Sequence, residues 1–437
     1  MVKITFLGGC REVGRSAILI ESKDKNKCIL DYGIRFHGEE RLPFDFNKDN
    51  LKAIALTHSH IDHSGALPYL YKDNSVPLFT NPVSLAVTKV LVKDMIRISN
   101  YNYPFGFREL NKLIENSYNL DNGFRQKISD NFYLTFFNAG HIPGSVSILI
   151  EVDNKKILYT GDINTKTTNL VEATSFLNLK EILDLDALIT ESTYALRDHP
   201  PREELEKEFM ERIITITEND GKVLIPAFGV ARSQEALLIL QKFNFRGNIF
   251  VDGLARKISN IFLNYPKSIK DINNYRRAFN RVKFISGKKG RNQAKNSNGV
   301  IIAPSGMLKG GAAIDFVKSF LNDPASAIYL VGYQVEGSPG RILLDEGFLK
   351  FNNNNDKISL AHNFKVKAKC DYDYFDFSSH ADGNQIRDYV ENLNFKKGTN
   401  NVFCIHGDQK ATTKLSSDLA KKSFNSVAPE AGDVYYI

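Results

Sequence analysis

The run His58-Ser59-His60-Ile61-Asp62-His63 decides how this chain is read. It puts three imidazoles and a carboxylate within six residues, directly after the apolar stretch Ala53–Thr57, which reads as a strand. Zinc in hydrolytic sites takes neutral imidazole and carboxylate ligands and keeps one position open for water. Side chains alternating along a tight loop can aim His58 and His60 at one ion, while the offset Asp62 and His63 face a second. A polar loop of hydrogen-bonded histidines is the bland alternative, and it is the weaker reading of so dense a run.

The other ligands must come from elsewhere in the chain. His141 follows a strand ending at Phe137, in Ala139-Gly140-His141; Asp162 follows one ending at Thr160; His406 opens His406-Gly407-Asp408 after Val402–Ile405. Each stands just past a strand, and several have a glycine beside them, which places them on loops at one rim of a sheet where backbone approaches closely. The count suits two ions. His58, His60 and His141 hold the first, Asp62, His63 and His406 the second, and Asp162 bridges them, with a bridging hydroxide completing both shells. Two zinc ions about 3.5–4 Å apart lower the pKa of such a water and clamp a phosphate oxygen. Of nine histidines, His37, His199 and His362 fall outside this pattern and read as surface or structural.

With 437 residues, 42% of them hydrophobic and 24% charged, the chain has the composition of a soluble globular protein and the length of two domains. Its four cysteines, Cys10, Cys28, Cys370 and Cys404, form no CxxC pair, so a thiolate finger is not expected and a reducing cytoplasm is. Cys10 and Cys404 read as small buried residues rather than nucleophiles. The N-terminus lacks the apolar core of a signal peptide, and no run of about 18 apolar residues predicts a membrane span. The net charge of +7 is compatible with RNA or DNA as partner, and equally with a solvated lysine-rich surface.

Short strands separated by glycine and histidine loops fill the first 195 residues, with one helix over Val83–Ile98. The pattern then changes to strand–helix alternation: helix Arg202–Asn219, strand Val223–Pro226, helix Ser233–Phe243, strand Ile249–Asp252, strand Gly299–Ala303, helix Ala312–Leu321 and strand Ala327–Gly332. That alternation predicts a parallel sheet with flanking helices. Strands at Phe375–His380 and Val402–His406, with helices Asn384–Asn392 and Thr413–Lys422, return to the first style. The simplest organisation is a split domain, residues 1–195 and 372–437, with residues 196–371 inserted into it. Asparagine-rich stretches at 292–298 and 352–355 read as surface loops; internal repeats are not apparent.

These residues reproduce the metallo-β-lactamase pattern, and the chain resembles its β-CASP branch of nucleases over nearly the whole length. Glu191 in Thr190-Glu191-Ser192-Thr193-Tyr194 matches motif A, His380 in Phe377-Ser378-Ser379-His380-Ala381-Asp382 motif B, and His406 motif C. The segments Pro226–Gln234, Pro304–Gly311 and Val331–Arg341 also look like the family's inserted domain. The opening Phe6–Glu21 and the SHAD form around His380 are similar to archaeal relatives of the cleavage and polyadenylation specificity factor nuclease, in a short form without the KH extension; RNase J proteins carry GHAS there, in a 5′-monophosphate pocket. The fold that the resemblance implies is α/β: an αββα metallo-β-lactamase sandwich with an inserted α/β β-CASP domain, its parallel sheet flanked by helices.

The function it implies is zinc-dependent hydrolysis of RNA phosphodiesters, with two zinc ions per chain. The cut is endonucleolytic, with 5′ to 3′ exonuclease action as an addition, in RNA processing, 3′-end formation or decay. Asp62, Glu191 and His380 then carry the chemistry, His380 as general acid polarised by Glu191, with the alternative that Glu191 orients a neighbouring histidine. Ser305 and Gly306 offer backbone amides to a phosphate, Ser378 and Ser379 flank motif B, and Arg232 and Arg341 are candidates for RNA backbone contacts. Single-stranded RNA is the expected partner, entering a slot closed by the inserted domain, with a homodimer and RNA-processing or RNA-polymerase-associated proteins as further expectations. The competing readings are a DNA-processing nuclease, whose group lacks the motif C histidine, a thioesterase, whose small substrate does not suit so long an insertion, and a scaffold subunit that has lost its ligands, which this chain keeps.

Overall fold

A computed structural model describes residues 1–35, 38–99, 101–174, 184–352, 358 and 363–437. The chain divides into two compact units. The first comprises residues 1–167, 171–198 and 379–437; the second comprises residues 168–170 and 199–378.

Among the described residues, the first unit holds two seven-stranded sheets. One runs in the order Val434–Tyr436, Lys3–Gly8, Ala17–Glu21, Lys27–Leu30, Leu51–Leu56, Leu78–Thr80 and Ser117–Asn119. The other runs Asn425–Val427, Asn401–Cys404, Ala187–Thr190, Lys155–Tyr159, Val146–Val152, Phe132–Asn138 and Arg125–Ser129. The strands alternate, and both faces are apolar. Ile4, Phe6, Ile18, Ile20, Ala53 and Ala55 of the first sheet meet Leu134, Phe136, Ile148, Ile150 and Ile157 of the second in one core. The residues between them face outward. Leu19, Ile29, Ile54 and Leu56 pack under Leu67 and Leu70 of a short 3-10 turn, helix Pro82–Ile98 and helix Phe107–Glu115. On the far side Leu149, Leu158, Leu188 and Val402 pack under helices Gly383–Glu391 and Gln409–Lys421. Two sheets buried on both faces thus form an αββα sandwich.

The second unit is built on a six-stranded sheet in the order Lys283–Phe284, Ile249–Val251, Gly299–Ala303, Lys222–Pro226, Ala327–Leu330 and Asp371–Tyr374. Every pairing in it is parallel. Its helices include Arg202–Glu218, Arg232–Lys242 and Ile314–Leu321. A hairpin of Phe348–Asn352 with Asn363–Lys367 adds a two-stranded sheet. The expected fold class is the observed one.

Two local expectations need correction. Phe375–His380 is not a strand. The strand is Asp371–Tyr374, and after the Phe375 amide donates to Leu330 O the ladder stops. The alternating Phe375 and Phe377 pack instead onto the Phe209 ring, each with centroids 4.9 Å away. The stretch 292–298 is not all loop either: it begins inside helix Gly287–Lys295, whose Arg291 bonds Asp252 and whose Ala294 is buried. Asn352 ends a strand; residues 353–355, His37 and His362 lie outside the described residues. His199 Nδ1 sits 3.3 Å from Asp376 Oδ2 within the second unit, a structural placement.

Candidate metal centre

The ligand candidates stand where strands of the two sheets end. Leu51–Leu56 runs into His58 and His60, and then into the four-residue helix Ile61–Ser64, whose turn re-aims Asp62 and His63. Phe132–Asn138 leads to His141, Lys155–Tyr159 to Asp162, Ala187–Thr190 to Glu191, and Asn401–Cys404 to His406. Gly161 shows why a glycine precedes Asp162: its φ is +55°, and a Cβ there would stand 2.9 Å from Thr57 Cβ. His406 itself takes a left-handed φ of 49°, held by its amide's bond to Gly9 O at 2.6 Å.

These side chains meet. Donor atoms of His58, His60, His141 and Asp162 lie within 4.8 Å of one another, as do those of Asp62, His63 and His406, and those of Asp162, Glu191 and His380. His60 Nδ1 is 3.1 Å from both His58 Nε2 and His141 Nε2. Asp162 stands between the groups. Its Oδ2 is 3.4 Å from His58 Nε2 and 3.6 Å from His141 Nε2, while its Oδ1 is 3.3 Å from His63 Nε2 and 3.6 Å from His406 Nε2. Asp62 Oδ2 lies 3.7 Å from His406 Nε2.

The set fits a metal. Ligands about 2.0–2.1 Å from a tetrahedral zinc lie about 3.3 Å apart, close to these spacings. His63 Nε2 and Asp162 Oδ1 are buried, and neither has a hydrogen-bond partner among the described residues. The two atoms face each other at 3.3 Å, the placement of two ligands on one cation.

The outer nitrogens are held as well. His63 Nδ1 donates to Asp31 Oδ2 at 2.8 Å, and His141 Nδ1 donates to Ser379 O at 2.8 Å. Thr57 Oγ1 donates to Asp31 and so accepts from His58 Nδ1 at 3.0 Å; His406 Nδ1 meets Ser16 Oγ at 2.9 Å. Such contacts fix each tautomer and turn the Nε2 lone pair inward. Burial pushes the His60 imidazole down to about 4 and His58 well below its usual range. Burial opposes ionisation of Asp162, yet His406, His63 and His58 hold its carboxyl well below the usual range. For His63, burial is outweighed by Asp162 and Asp31, which raise it.

Glu191 and His380 adjoin this cluster. Glu191 Oε2 lies 2.8 Å from His380 Nδ1, and Oε1 accepts from the Ile163 amide at 2.7 Å. His380 Nδ1 is 4.0 Å from Asp162 Oδ2. Asp382, two residues on, caps helix Gly383–Glu391, and Asp408 caps Gln409–Lys421.

Of the remaining candidates, Ser379 is in the first unit and acts through its carbonyl on His141. The others lie in the second unit. The Ser305 amide donates to Gly310 O within its own loop, and Gly306 O accepts from Gln334 Nε2 at 3.0 Å. The Ser378 amide donates to Asp376 Oδ1 at 3.1 Å. Arg232 is buried in its helix's first turn, while the half-exposed Arg341 pairs with Asp345 one turn on. Asp31, Ser16 and Thr57 went unnoticed in the sequence, although Asp31 follows strand Lys27–Leu30 as directly as the ligand candidates follow theirs.

Comparison with known proteins agrees with this architecture. The sequence pattern of the metallo-β-lactamase superfamily matches residues 11–198, that of the Beta-Casp domain residues 233–343, and that of a Zn-dependent metallo-hydrolase RNA specificity domain residues 365–429. The fold and the cluster are thus those of a metallo-β-lactamase-superfamily hydrolase, a metal-dependent class. A probable RNase MJ4 of Methanocaldococcus jannaschii is 33% identical over 99% of both chains. RNase aCSPSF2 of Saccharolobus solfataricus is 32% identical over 98% of this chain and 84% of its own. Transcription termination factor FttA of Methanothermobacter thermautotrophicus is 29% identical over 95% of this chain and 69% of its own. A crystal structure of a protein of unknown function from Enterococcus faecalis V583 superposes with a TM-score of 0.66 over 99% of both chains at 16% identity, a likeness of fold. The chain belongs to the β-CASP family, among the archaeal relatives of the cleavage and polyadenylation specificity factor nuclease.

Proposed function

We propose that this chain is a ribonuclease that hydrolyses RNA phosphodiesters with two zinc ions. The observation that carries the reading is Asp162, which turns one carboxylate oxygen toward each group of histidines. His58, His60 and His141 would hold one ion, Asp62, His63 and His406 the other, with Asp162 shared. Bound there, the pair would supply an acidified water and a positive clamp for the scissile phosphate. The chain's own part is to position and to move protons. Asp31, Thr57, Ser16 and the Ser379 carbonyl keep four imidazoles oriented. Glu191 holds the His380 ring by Nδ1, so that a proton at Nε2 can pass to the leaving oxygen.

RNA as substrate is supported by the matched RNA specificity domain and by the names of the relatives. The cut is endonucleolytic, with 5′ to 3′ exonuclease action in addition. The four cysteines are unpaired and buried, which suits the reducing cytoplasm where we place the chain. No helix among the described residues is long and apolar enough to cross a membrane. A homodimer and association with RNA-processing or transcription proteins belong to the same reading.

The test is cleavage of labelled single-stranded RNA and of the matched DNA by purified chain, with metal content measured by mass spectrometry. Two zinc ions per chain and cleavage of RNA are expected. His60→Ala loses both metal and cleavage, and His380→Ala keeps the metal while slowing cleavage by about 10²–10⁴-fold. Intact RNA with zinc fully loaded rejects the reading, and cleavage of DNA in preference to RNA replaces it with a DNA-processing nuclease.

A further inference from the structure

Helix Pro82–Ile98 carries Lys89, Lys93 and Arg97 at steps of four residues, so the three cations stand one above another, about 6 Å apart along the axis. All three are exposed, and none has an ion-pair or hydrogen-bond partner among the described residues. Elsewhere helices of this chain pair such positions with opposite charge, as in Arg202–Glu206 and Lys414–Asp418. Like charges four apart weaken a helix; Arg97, in the last turn, is favoured by the helix dipole, but Lys89 and Lys93 have no such role in the helix that carries them.

Beside it, helix Phe107–Glu115 presents Phe107, Leu110 and Ile114 at apolar spacing. The two stripes line a groove of about 270 Å³ whose lining contains no carboxylate. Phe107 leaves 44% of its surface in solvent there. An exposed ring within reach of three unpaired cations combines the two elements of sequence-tolerant single-strand binding: charge for the backbone and a π face for a base. The net charge of +7 is compatible with the same polyanion.

We propose that this groove binds single-stranded RNA, with successive phosphates along Lys89, Lys93 and Arg97 and a base stacked on Phe107. The proposal rests on the ribonuclease reading and adds to it a substrate-holding surface built from side chains that the metal centre does not use.

The test is fluorescence anisotropy with a fluorescein-labelled phosphorothioate oligouridylate, which resists hydrolysis, over a series of salt concentrations. Triple substitution Lys89→Ala, Lys93→Ala and Arg97→Ala is expected to weaken binding at least tenfold at low salt. It should also lower the slope of log affinity against log salt by about two, the share of three phosphate contacts on a single strand. Phe107→Ala should weaken binding about fivefold or more with the slope unchanged. Hydrolysis of bis(4-nitrophenyl) phosphate, which occupies only the reacting centre, should match the wild type in both variants. A triple variant with wild-type affinity and slope, while the wild type binds and cuts RNA, overturns the groove and leaves the ribonuclease reading standing. A wild type that neither binds nor cuts RNA overturns both. Binding of polyglutamate that the triple variant loses, with RNA binding unaffected, assigns the groove to an acidic peptide and also overturns the proposal.

Discussion

Four groups converge on the carboxylate of Asp31: the Thr57 amide at 2.7 Å, the Thr57 hydroxyl at 2.8 Å, the Tyr159 hydroxyl at 2.9 Å and His63 Nδ1 at 2.8 Å. The residue is fully buried, and through Thr57 its orientation reaches His58 as well. One side chain outside the candidate ligand set thus orders histidines in both groups. An amide at this position offers hydrogens where His63 and Thr57 need an acceptor. Asp31→Asn is therefore expected to lower metal affinity by about 10–100-fold while the fold persists. Competition with a chelator, alongside circular dichroism, measures it; affinity equal to the wild type would refute this role. At this scale the donor set was legible, because imidazole and carboxylate chemistry is written in residue type. Asp31 and Ser16 were not, because nothing local says that Ser16 Oγ will meet His406 Nδ1, 390 residues away.

Elements in the second unit are tied by buried charge as well as by apolar packing. Glu206 on helix Arg202–Glu218 accepts from Arg202 Nε and Lys242 Nζ, both at 2.8 Å, and from Asn169 Nδ2 at 2.8 Å. Glu235 on helix Arg232–Lys242 accepts from Arg202 and from the Asn169 and Leu170 amides. Burial alone would raise the Glu206 carboxyl, but Lys242 and Arg202 outweigh it and hold it below its ordinary value. A carboxyl depressed in the folded state stabilises above its unfolded pKa, about 4.3, and loses that contribution as pH falls through the depressed folded value. Glu206→Gln should thus cost about 2 kcal/mol near neutral pH, and the gap to the wild type should close as pH drops below about 4. Urea unfolding at several pH values checks it, and a gap independent of pH contradicts it. Helix Pro82–Ile98, with its apolar periodicity, and strand Gly299–Ala303, an unbroken apolar run, were readable from their pattern. Phe375 and Phe377 misled because alternate burial looks like a strand, whether the partner is a ladder or an aromatic ring such as Phe209. The three-residue strands Leu78–Thr80 and Ser117–Asn119 are too short to carry a period.

For the whole molecule, the candidate metal centre lies within the first unit, at strand ends contributed by both of its sheets. The core between those sheets is apolar and closed without the ligands, and the second unit's sheet has a core of its own. Removing metal should therefore destabilise the first unit without unfolding it. Loss of an ion present at a thousandfold excess over its Kd removes about 4 kcal/mol. Calorimetry before and after chelation should show the transition of the first unit falling in temperature while that of the second stays in place; a common shift or outright unfolding would contradict this. Residue type, strand-end position and strand–helix alternation were enough to indicate a parallel-sheet insertion and a candidate ligand run at His58–His63, because apolar periodicity and donor chemistry are local properties; the two-layer sandwich was implied only by the resemblance to the metallo-β-lactamase pattern. Which oxygen of Asp162 faces which histidines, and which groups hold the imidazoles from behind, was decided only by the tertiary structure. Those contacts join strand ends far apart in the chain, and the order of strands in two sheets brings them together, which no local pattern encodes.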